Sequence, residues 1–404
     1  MNDNVFDFQE LPASPSSLRV AVVTETYPPE VNGVAMTLAR IVDGLQRRNH
    51  RIQLIRPRQR ATETPACDVL LEEVLSAGVP MPRYQGLRFG LPAKQALLRL
   101  WSLKRPDAVH IATEGPLGWS ALAATIKLKL PVSTGFHTNF HSYSQHYGVG
   151  FLKKPISAYL RKFHNRAQAT LVPTEDLRRE LATQGFENLR VVSRGVDTRL
   201  FSPARRSPQL RRDWGAADGE PVALYVGRIA REKNLKLLAE AYSGMCTRVP
   251  EARLVMVGDG PERAVLAARY PDIVFAGTRT GEDLAAHYAS ADIFLFPSLT
   301  ETFGNVTLEA MASGLAVVAY DYAAAQQYLA HERSGLLAPF DDDKAFVGLA
   351  TAIAADSGRA ASLRVQARAS AERIDWDNVF DDFEAVLRDV MQRQEASRVQ
   401  GSSA

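Results

Sequence analysis

Two short stretches of this chain hold side chains whose types and spacing suit a phosphorylated, hydroxyl-rich ligand. The first reads Tyr225-Val-Gly227-Arg228-Ile-Ala-Arg-Glu-Lys233-Asn234. A strand ending at Gly227 would deliver Arg228 to its carboxyl end, with Lys233 a turn later. Arginine offers a planar fork of donors and lysine a compact charge, so the two can converge on a diphosphate. The second reads Pro297-Ser-Leu-Thr-Glu301-Thr-Phe303-Gly304-Asn305-Val306-Thr-Leu-Glu309. It predicts a strand up to Pro297, a loop from Glu301 to Asn305, and a helix from Val306 to near Gly314. Free backbone N–H groups around Gly304 and Asn305 suit an anionic phosphate. Glu301 stands before the helix and Glu309 about one turn inside it. Two carboxylates in one pocket can accept hydrogen bonds from several sugar hydroxyls. Taken singly, each stretch also has a plainer account. The first could be a solvated basic loop, and the second a capping glutamate followed by a surface one.

A third candidate is His137, in Gly-Phe-His137-Thr-Asn-Phe-His141. It follows a predicted strand and is expected to point into the cleft, with an ordinary satisfied polar histidine as the alternative. His141 and His146 lie near in sequence. No acidic or cysteine ligand accompanies these histidines at a recognisable metal spacing, so neither a metal nor another cofactor is expected.

These residues need rigid elements behind them. Leu18–Thr24 is a short apolar, β-branched run. Pro28, Pro29, Asn32 and Gly33 then break the chain, and Val34, Leu38, Ile41, Val42 and Leu45 repeat at helical spacing. Further apolar runs begin at Arg51 and cover 108–111, 132–136, 170–172 and 191–193. A second series covers 221–227, 253–258, 273–277, 293–298 and 316–320. Strands alternating with helices predict an α/β fold with mostly parallel sheets. In such sheets ligands bind beyond the carboxyl ends of the strands, where the candidate residues fall.

At 404 residues the chain is long enough for about two domains. The expected organisation is a disordered leader over 1–17, a first domain over 18–196, and a polar, arginine-rich linker over 197–220. A second domain follows over 221–372. A helix over 373–394 is expected to cross back to the first domain, and 395–404 to form a disordered tail. A net charge of +3 is too small to imply nucleic-acid binding. Cys67 and Cys246 lie in different predicted domains, which fits free thiols and a cytoplasmic setting. No apolar run approaches the length of a membrane span.

In combination the motifs become specific. Gly227-Arg228-x4-Lys233 followed by Glu301-x7-Glu309 resembles the family-4 retaining glycosyltransferases of the GT-B fold, especially GDP-mannose-dependent and glycolipid-forming members. The resemblance runs from Leu18 to about Arg393. It includes Pro28-Pro29-x2-Asn32-Gly33-Val34, Gly195-Val196-Asp197, Gly258-x-Gly260 and Glu309-Ala-Met-Ala-x-Gly314. It implies two facing Rossmann-like domains with the donor, a nucleotide sugar, in the second. Arg228 and Lys233 would hold the diphosphate, Glu309 the ribose and Glu301 the sugar. Backbone from Phe303 through Gly304 and Asn305 to Val306 would touch sugar and phosphate. Gly33 would lie in a loop closing over the phosphates, and His137 at the reaction centre. The implied chemistry is a front-face displacement in which a leaving phosphate oxygen takes the acceptor proton, with no divalent cation required.

A hydroxyl acceptor would then lie against the first domain. In the stretch 139–164, aromatics alternate with Lys153, Lys154, Arg161 and Lys162. That pattern suits a peripheral contact with anionic membrane and a lipid-linked acceptor, or else a core helix with a solvated basic face. GDP-mannose is the first expectation for the donor and a UDP-sugar the second. Sugar-nucleotide epimerases, phosphorylases and pure binding modules are other classes, against which the Glu301/Glu309 and Arg228/Lys233 sets argue.

Overall fold

Short apolar strands separated by helices cannot pair as hairpins, so they pair side by side through crossovers. A computed structural model describes residues 17–30, 32–60, 62–80, 88–137 and 153–402. The strands of the first half are β1 (Arg19–Val23), β2 (Arg51–Pro57), β3 (Leu71–Ser76), β4 (Gly78–Pro80), β5 (Arg88–Gly90), β6 (Ala108–Ile111), β7 (Val132–Gly135), β8 (Ala169–Val172) and β9 (Leu189–Val191). All but β4 and β5, which pair antiparallel with each other, form one parallel sheet in the order β3-β2-β1-β6-β7-β8-β9. The second half contributes β10 (Val222–Val226), β11 (Arg253–Val257), β12 (Val274–Gly277), β13 (Ile293–Phe296), β14 (Ala316–Tyr320) and β15 (Leu336–Ala338). They form a second parallel sheet in the order β12-β11-β10-β13-β14-β15.

Both orders reverse direction once, between β1 and β6 in the first sheet and between β10 and β13 in the second. Such a reversal opens a crevice at the carboxyl edge, because the loops on its two sides lead to opposite faces. The central strands are apolar on both faces and fully buried, as sheets covered on both sides require.

Each sheet has its own core. Leu18, Val20, Val22, Ile52 and Leu54 of the first sheet pack against the helix Gly33–Arg47 on one face. Val379, Phe383, Val386, Leu387 and Val390 of the closing helix Trp376–Ser402 complete that layer, although they follow the whole second sheet in sequence. A Cβ at Gly44 would meet the Phe380 ring at 2.2 Å, so that ring lies directly on the Gly44 backbone. Burying one such large apolar side chain is worth about 1.5–3 kcal/mol.

Two expected boundaries change. The stretch 197–220 is not a free linker: Phe201, Trp214 and Ala216 belong to the second core, and Pro208–Asp213 is helical. Two of its arginines converge on one carboxylate with a third from farther along the chain. Asp292, just before β13, receives Arg206 at 2.8 Å, Arg211 at 2.9 Å and Arg364 at 3.3 Å. The closing helix also continues to Ser402, past the point where a frayed tail is expected. The expected leader falls almost wholly outside the described residues.

Candidate active site at the facing sheet edges

The loops that follow β10 and β13, the two strands flanking the crevice of the second sheet, carry both motif stretches. After β10 the chain is pinned to its neighbour: Gly227 N–H donates to Val257 O (3.0 Å) and Ile229 N–H to Asp259 O (2.9 Å). Tyr225, wholly buried, donates its hydroxyl to Arg228 O at 3.0 Å. Arg228 Nη1 donates to Glu232 Oε1 at 3.3 Å, and Glu232 is itself buried. A single 3-10 turn, Arg231–Lys233, then brings Lys233 round so that its Nζ meets Glu301 Oε1.

Glu301 also accepts from Ser298 Oγ at 2.7 Å, while Tyr322 donates its hydroxyl to Glu301 O. Thr300 Oγ1 donates to Glu232 O at 3.1 Å. The two loops are therefore stitched together by hydrogen bonds. They hold two cations and three carboxyl groups, counting Glu309, around one crevice.

Gly304 has φ +90°, a left-handed conformation that costs glycine little, and this turns the chain sharply into the helix Asn305–Ala312. No side chain caps that helix, so its first N–H groups are not taken by a cap. Phe303 contributes anchorage rather than a polar contact. Its ring is buried, lies 6.1 Å from that of Tyr328, and its carbonyl accepts from Ala324 N–H at 2.9 Å. Val306 packs partly buried against the second core.

Glu309 lies deep in the crevice yet keeps a part-open face. Its Oε2 accepts from Tyr288 at 2.8 Å. Burial pushes its carboxyl up to about 7, against the smaller lowering effect of that hydrogen bond.

The first sheet faces this site. Asn32 caps the helix Gly33–Arg47 by accepting from Val34 N–H (3.1 Å) and Ala35 N–H (2.9 Å), which fixes Gly33 at the helix start. One turn on, Thr37 Oγ1 lies 3.3 Å from Asn305 Nδ2, a donor from the opposite domain. Thr302 Oγ1 reaches His137 O at 3.5 Å. Gly33, Asn305 and His137 therefore come together along one seam.

The orientation of His137 differs from expectation. Its ring does not project freely into the cleft. Nδ1 accepts from Arg194 Nη2 at 3.0 Å, and Nε2 is buried. Burial, then the Arg194 charge, holds the imidazole well below its ordinary range. His141 and His146 lie outside the described residues. Among those described, no cluster of three His, Cys, Asp or Glu side chains could hold a metal.

Sequence reasoning passed over Arg194, Glu232, Ser298, Tyr288 and Tyr322. Arg194 directly precedes the Gly195-Val196-Asp197 motif and Glu232 lies inside the first motif stretch, so position alone could have flagged both. Tyr288 sits in the helix Gly281–Ser290, and nothing in its neighbourhood marks it as the partner of Glu309.

Residues 31–200 match the Glycosyltransferase Family 4 model and residues 220–356 the Glycosyl transferases group 1 model. The chain is 34% identical over 378 residues to the GDP-mannose-dependent alpha-mannosyltransferase of Mycolicibacterium smegmatis, covering 92% of this chain and 98% of that one. It is 27% identical over 320 residues to the alpha-monoglucosyldiacylglycerol synthase of Streptococcus pneumoniae, covering 75% and 71%. In fold it is similar to sucrose-phosphate synthase from Thermosynechococcus elongatus, with a TM-score of 0.73 at 18% identity over 96% of this chain and 100% of that one. Two parallel-sheet domains meeting at their carboxyl edges are the GT-B arrangement, and with both family models matched in order along it, the chain belongs to the group 1, family 4 glycosyltransferases.

Proposed function

We propose that this protein transfers an α-mannosyl group from GDP-mannose, with retention of configuration, to a hydroxyl of a membrane glycolipid. The observation that carries the donor is the end-to-end similarity to a GDP-mannose-dependent mannosyltransferase. The two stitched loops supply the chemistry. Arg228 and Lys233 take the diphosphate, with the uncapped helix start at Asn305 beside them. Glu309 accepts from the ribose hydroxyls and Glu301 from the sugar. The bond from the anomeric carbon to the diphosphate breaks while the acceptor oxygen bonds to the same face of that carbon. The acceptor proton passes to the departing phosphate oxygen. Negative charge then grows on the diphosphate where cations and N–H dipoles already stand, usually the largest catalytic contribution. These groups carry the charge without a divalent ion, so activity should persist in excess chelator. Loss on chelation, restored by one divalent ion, would contradict this.

A second reading takes a UDP-sugar as donor; glucosyl transfer to a diacylglycerol acceptor is supported by the similarity to the alpha-monoglucosyldiacylglycerol synthase. One assay separates the two. Purified protein is offered a panel of nucleotide sugars with mixed lipid acceptors, and the product's anomeric configuration is read by NMR. GDP-mannose consumption with an α-linked product supports the proposal. Turnover of UDP-glucose alone replaces it, and a β-linked product overturns retention.

A further inference from the structure

Arg194 follows β9 at the junction of the two domains and is only 8% exposed. Among the described residues no carboxylate pairs with it. Its contacts are the Ser193 carbonyl at a long 3.4 Å and His137 Nδ1 at 3.0 Å. Beside it, Ser193 and Tyr328 share a hydrogen bond of 2.5 Å across the domain junction. A guanidinium withdrawn from water without a counter-ion is expensive. Burial lowers its pKa to about 10, which still leaves it protonated at neutral pH. Chains rarely retain such a charge unless it sets something else.

What it sets follows from hydrogen-bond inventory. A guanidinium has only donors. The ring nitrogen it meets must therefore be an acceptor, which places the single proton of a neutral imidazole on the other nitrogen. That nitrogen, Nε2, is buried and has no hydrogen-bond partner among the described residues. It lies over the end of β7, where a Cβ at Gly135 would come within 2.5 Å of it. The ring thus carries one buried N–H, while Thr302 Oγ1 from the second domain reaches the backbone carbonyl of the same residue at 3.5 Å.

We propose that Arg194 is a positioning residue that locks His137 as the neutral, Nε2-protonated tautomer, so that the ring has no free nitrogen lone pair and cannot act as a base. The inference rests on the reading of His137 as a residue of the transfer centre. It deepens that reading by excluding this imidazole as the acceptor of the attacking hydroxyl's proton, leaving the phosphate oxygen to take it.

Among the described residues, the charged and titratable groups nearest the ring are Arg194, His110 and His164. Arg194 approaches from the end of β9. His110 on β6 bonds Ser133 at 3.0 Å and is itself held down to about 3 by burial. His164, on the helix Lys153–His164, lies between Thr134 (2.9 Å) and the Glu114 carboxylate (3.3 Å). Burial first, then these neighbours, hold the His137 imidazole well below its ordinary range.

The test reads the two ring nitrogens directly. Long-range 1H–15N spectra of the full-length protein, with His137→Gln to assign the signal, should show a protonated Nε2 and a bare Nδ1, unchanged from about pH 5 to 8. Arg194→Met should let the tautomers mix, lower turnover about tenfold, and introduce an acidic limb in the pH–rate profile nearer the ordinary imidazole value of about 6.5. Arg194→Lys, which keeps a cationic donor, should restore part of the turnover. A proton on Nδ1 in the wild type, or titration of His137 within that pH range, overturns the proposal even if Arg194→Met fails to fold. An Arg194→Met variant that folds with the same tautomer and pH profile also overturns it. Full turnover in His137→Ala would instead sink the transfer-centre reading, while leaving the nitrogen spectrum to decide the tautomer.

Discussion

The two carboxyl edges that face each other hold charge in opposite ways. On the second sheet the cations meet carboxylates: Arg228 meets Glu232 and Lys233 meets Glu301. On the first sheet Arg194 is deeply buried and meets a neutral imidazole. The first arrangement is exchangeable. A diphosphate can replace Glu301 as the partner of Lys233, which frees Glu301 to accept from sugar hydroxyls. The second arrangement is fixed, because the guanidinium cannot leave its histidine without losing its best hydrogen bond in a largely buried site. On the proposed reading, donor recognition is built on swapping partners, and the centre beside it on keeping one state.

The strongest way to break this comparison is to remove a cation of the exchangeable set. Lys233→Ala and Arg228→Ala should each lower turnover at least about 100-fold, on the order of 3 kcal/mol of transition-state stabilisation. Both variants should remain folded, since both side chains lie at the crevice rather than in a core. Circular dichroism and kcat/KM with the donor check this. Near-normal turnover in both would remove the diphosphate clamp.

The carboxylates sharpen the comparison with a smaller effect. Glu309→Ala should mainly weaken binding of the free nucleotide, about tenfold for a lost pair of hydrogen bonds to a charged group. Glu301→Ala should mainly depress turnover. Calorimetry with free nucleotide separates them, and the reverse pattern would exchange the two roles.

Protonation adds a second handle. Glu309 has a folded-state pKa of about 7, above its ordinary value of 4.5. Between those values the folded chain binds more protons than the unfolded one, so the ligand-free protein loses stability as pH rises through this window. The shift bounds that loss on the order of 3 kcal/mol. Nucleotide affinity should move the other way, rising toward pH 7 as the carboxylate forms. Affinity that is flat over that range in the wild type would take Glu309 out of the ribose contact.

What the sequence made legible divides along the same line. Continuous apolar strands such as Ile293–Phe296 announce themselves because both faces are buried. β3 did not, because Leu71–Ser76 is a half-buried edge strand whose Glu72 and Glu73 pair with Lys104 and Arg56. β15 is a three-residue edge strand, too short to show a period. The stretch 197–220 reads as a linker from its arginines and prolines. Composition cannot reveal that Asp292, far along the chain, collects two of those guanidinium groups, Arg206 and Arg211, together with that of Arg364. Motif spacing singled out Arg228, Lys233, Glu301 and Glu309, which the structure gathers at one crevice. The pairing of Lys233 with Glu301 and the turned ring of His137 depend on side-chain directions that spacing does not encode.

The smallest expected effect concerns the membrane surface. Its sequence basis was aromatic and basic residues interleaved up to Phe163, and the structure divides them. Phe163 is wholly buried, with its ring 5.2 Å from that of Trp119, so it cannot enter a bilayer. Tyr159 is 45% exposed, but its hydroxyl is tied to Glu114 O at 2.6 Å. Lys154, Arg161 and Lys162 remain exposed on the helix, and Phe151 lies outside the described residues. Among the described residues no helix is long and apolar enough to cross a membrane. Contact with lipid through this helix would therefore be mainly electrostatic, at about 1 kcal/mol per cation near an anionic leaflet. Screening beyond about 8–10 Å at physiological ionic strength makes such contact weak and reversible. Co-sedimentation with anionic vesicles should be measurable at low salt, fall at high salt, and be absent with neutral vesicles. Changing Lys153, Lys154, Arg161 and Lys162 together to serine should abolish it without altering turnover of a detergent-solubilised acceptor. If the wild type ignores anionic vesicles at low salt, this basic face is only a solvated helix surface, and an acceptor that diffuses to the cleft in solution becomes the better reading.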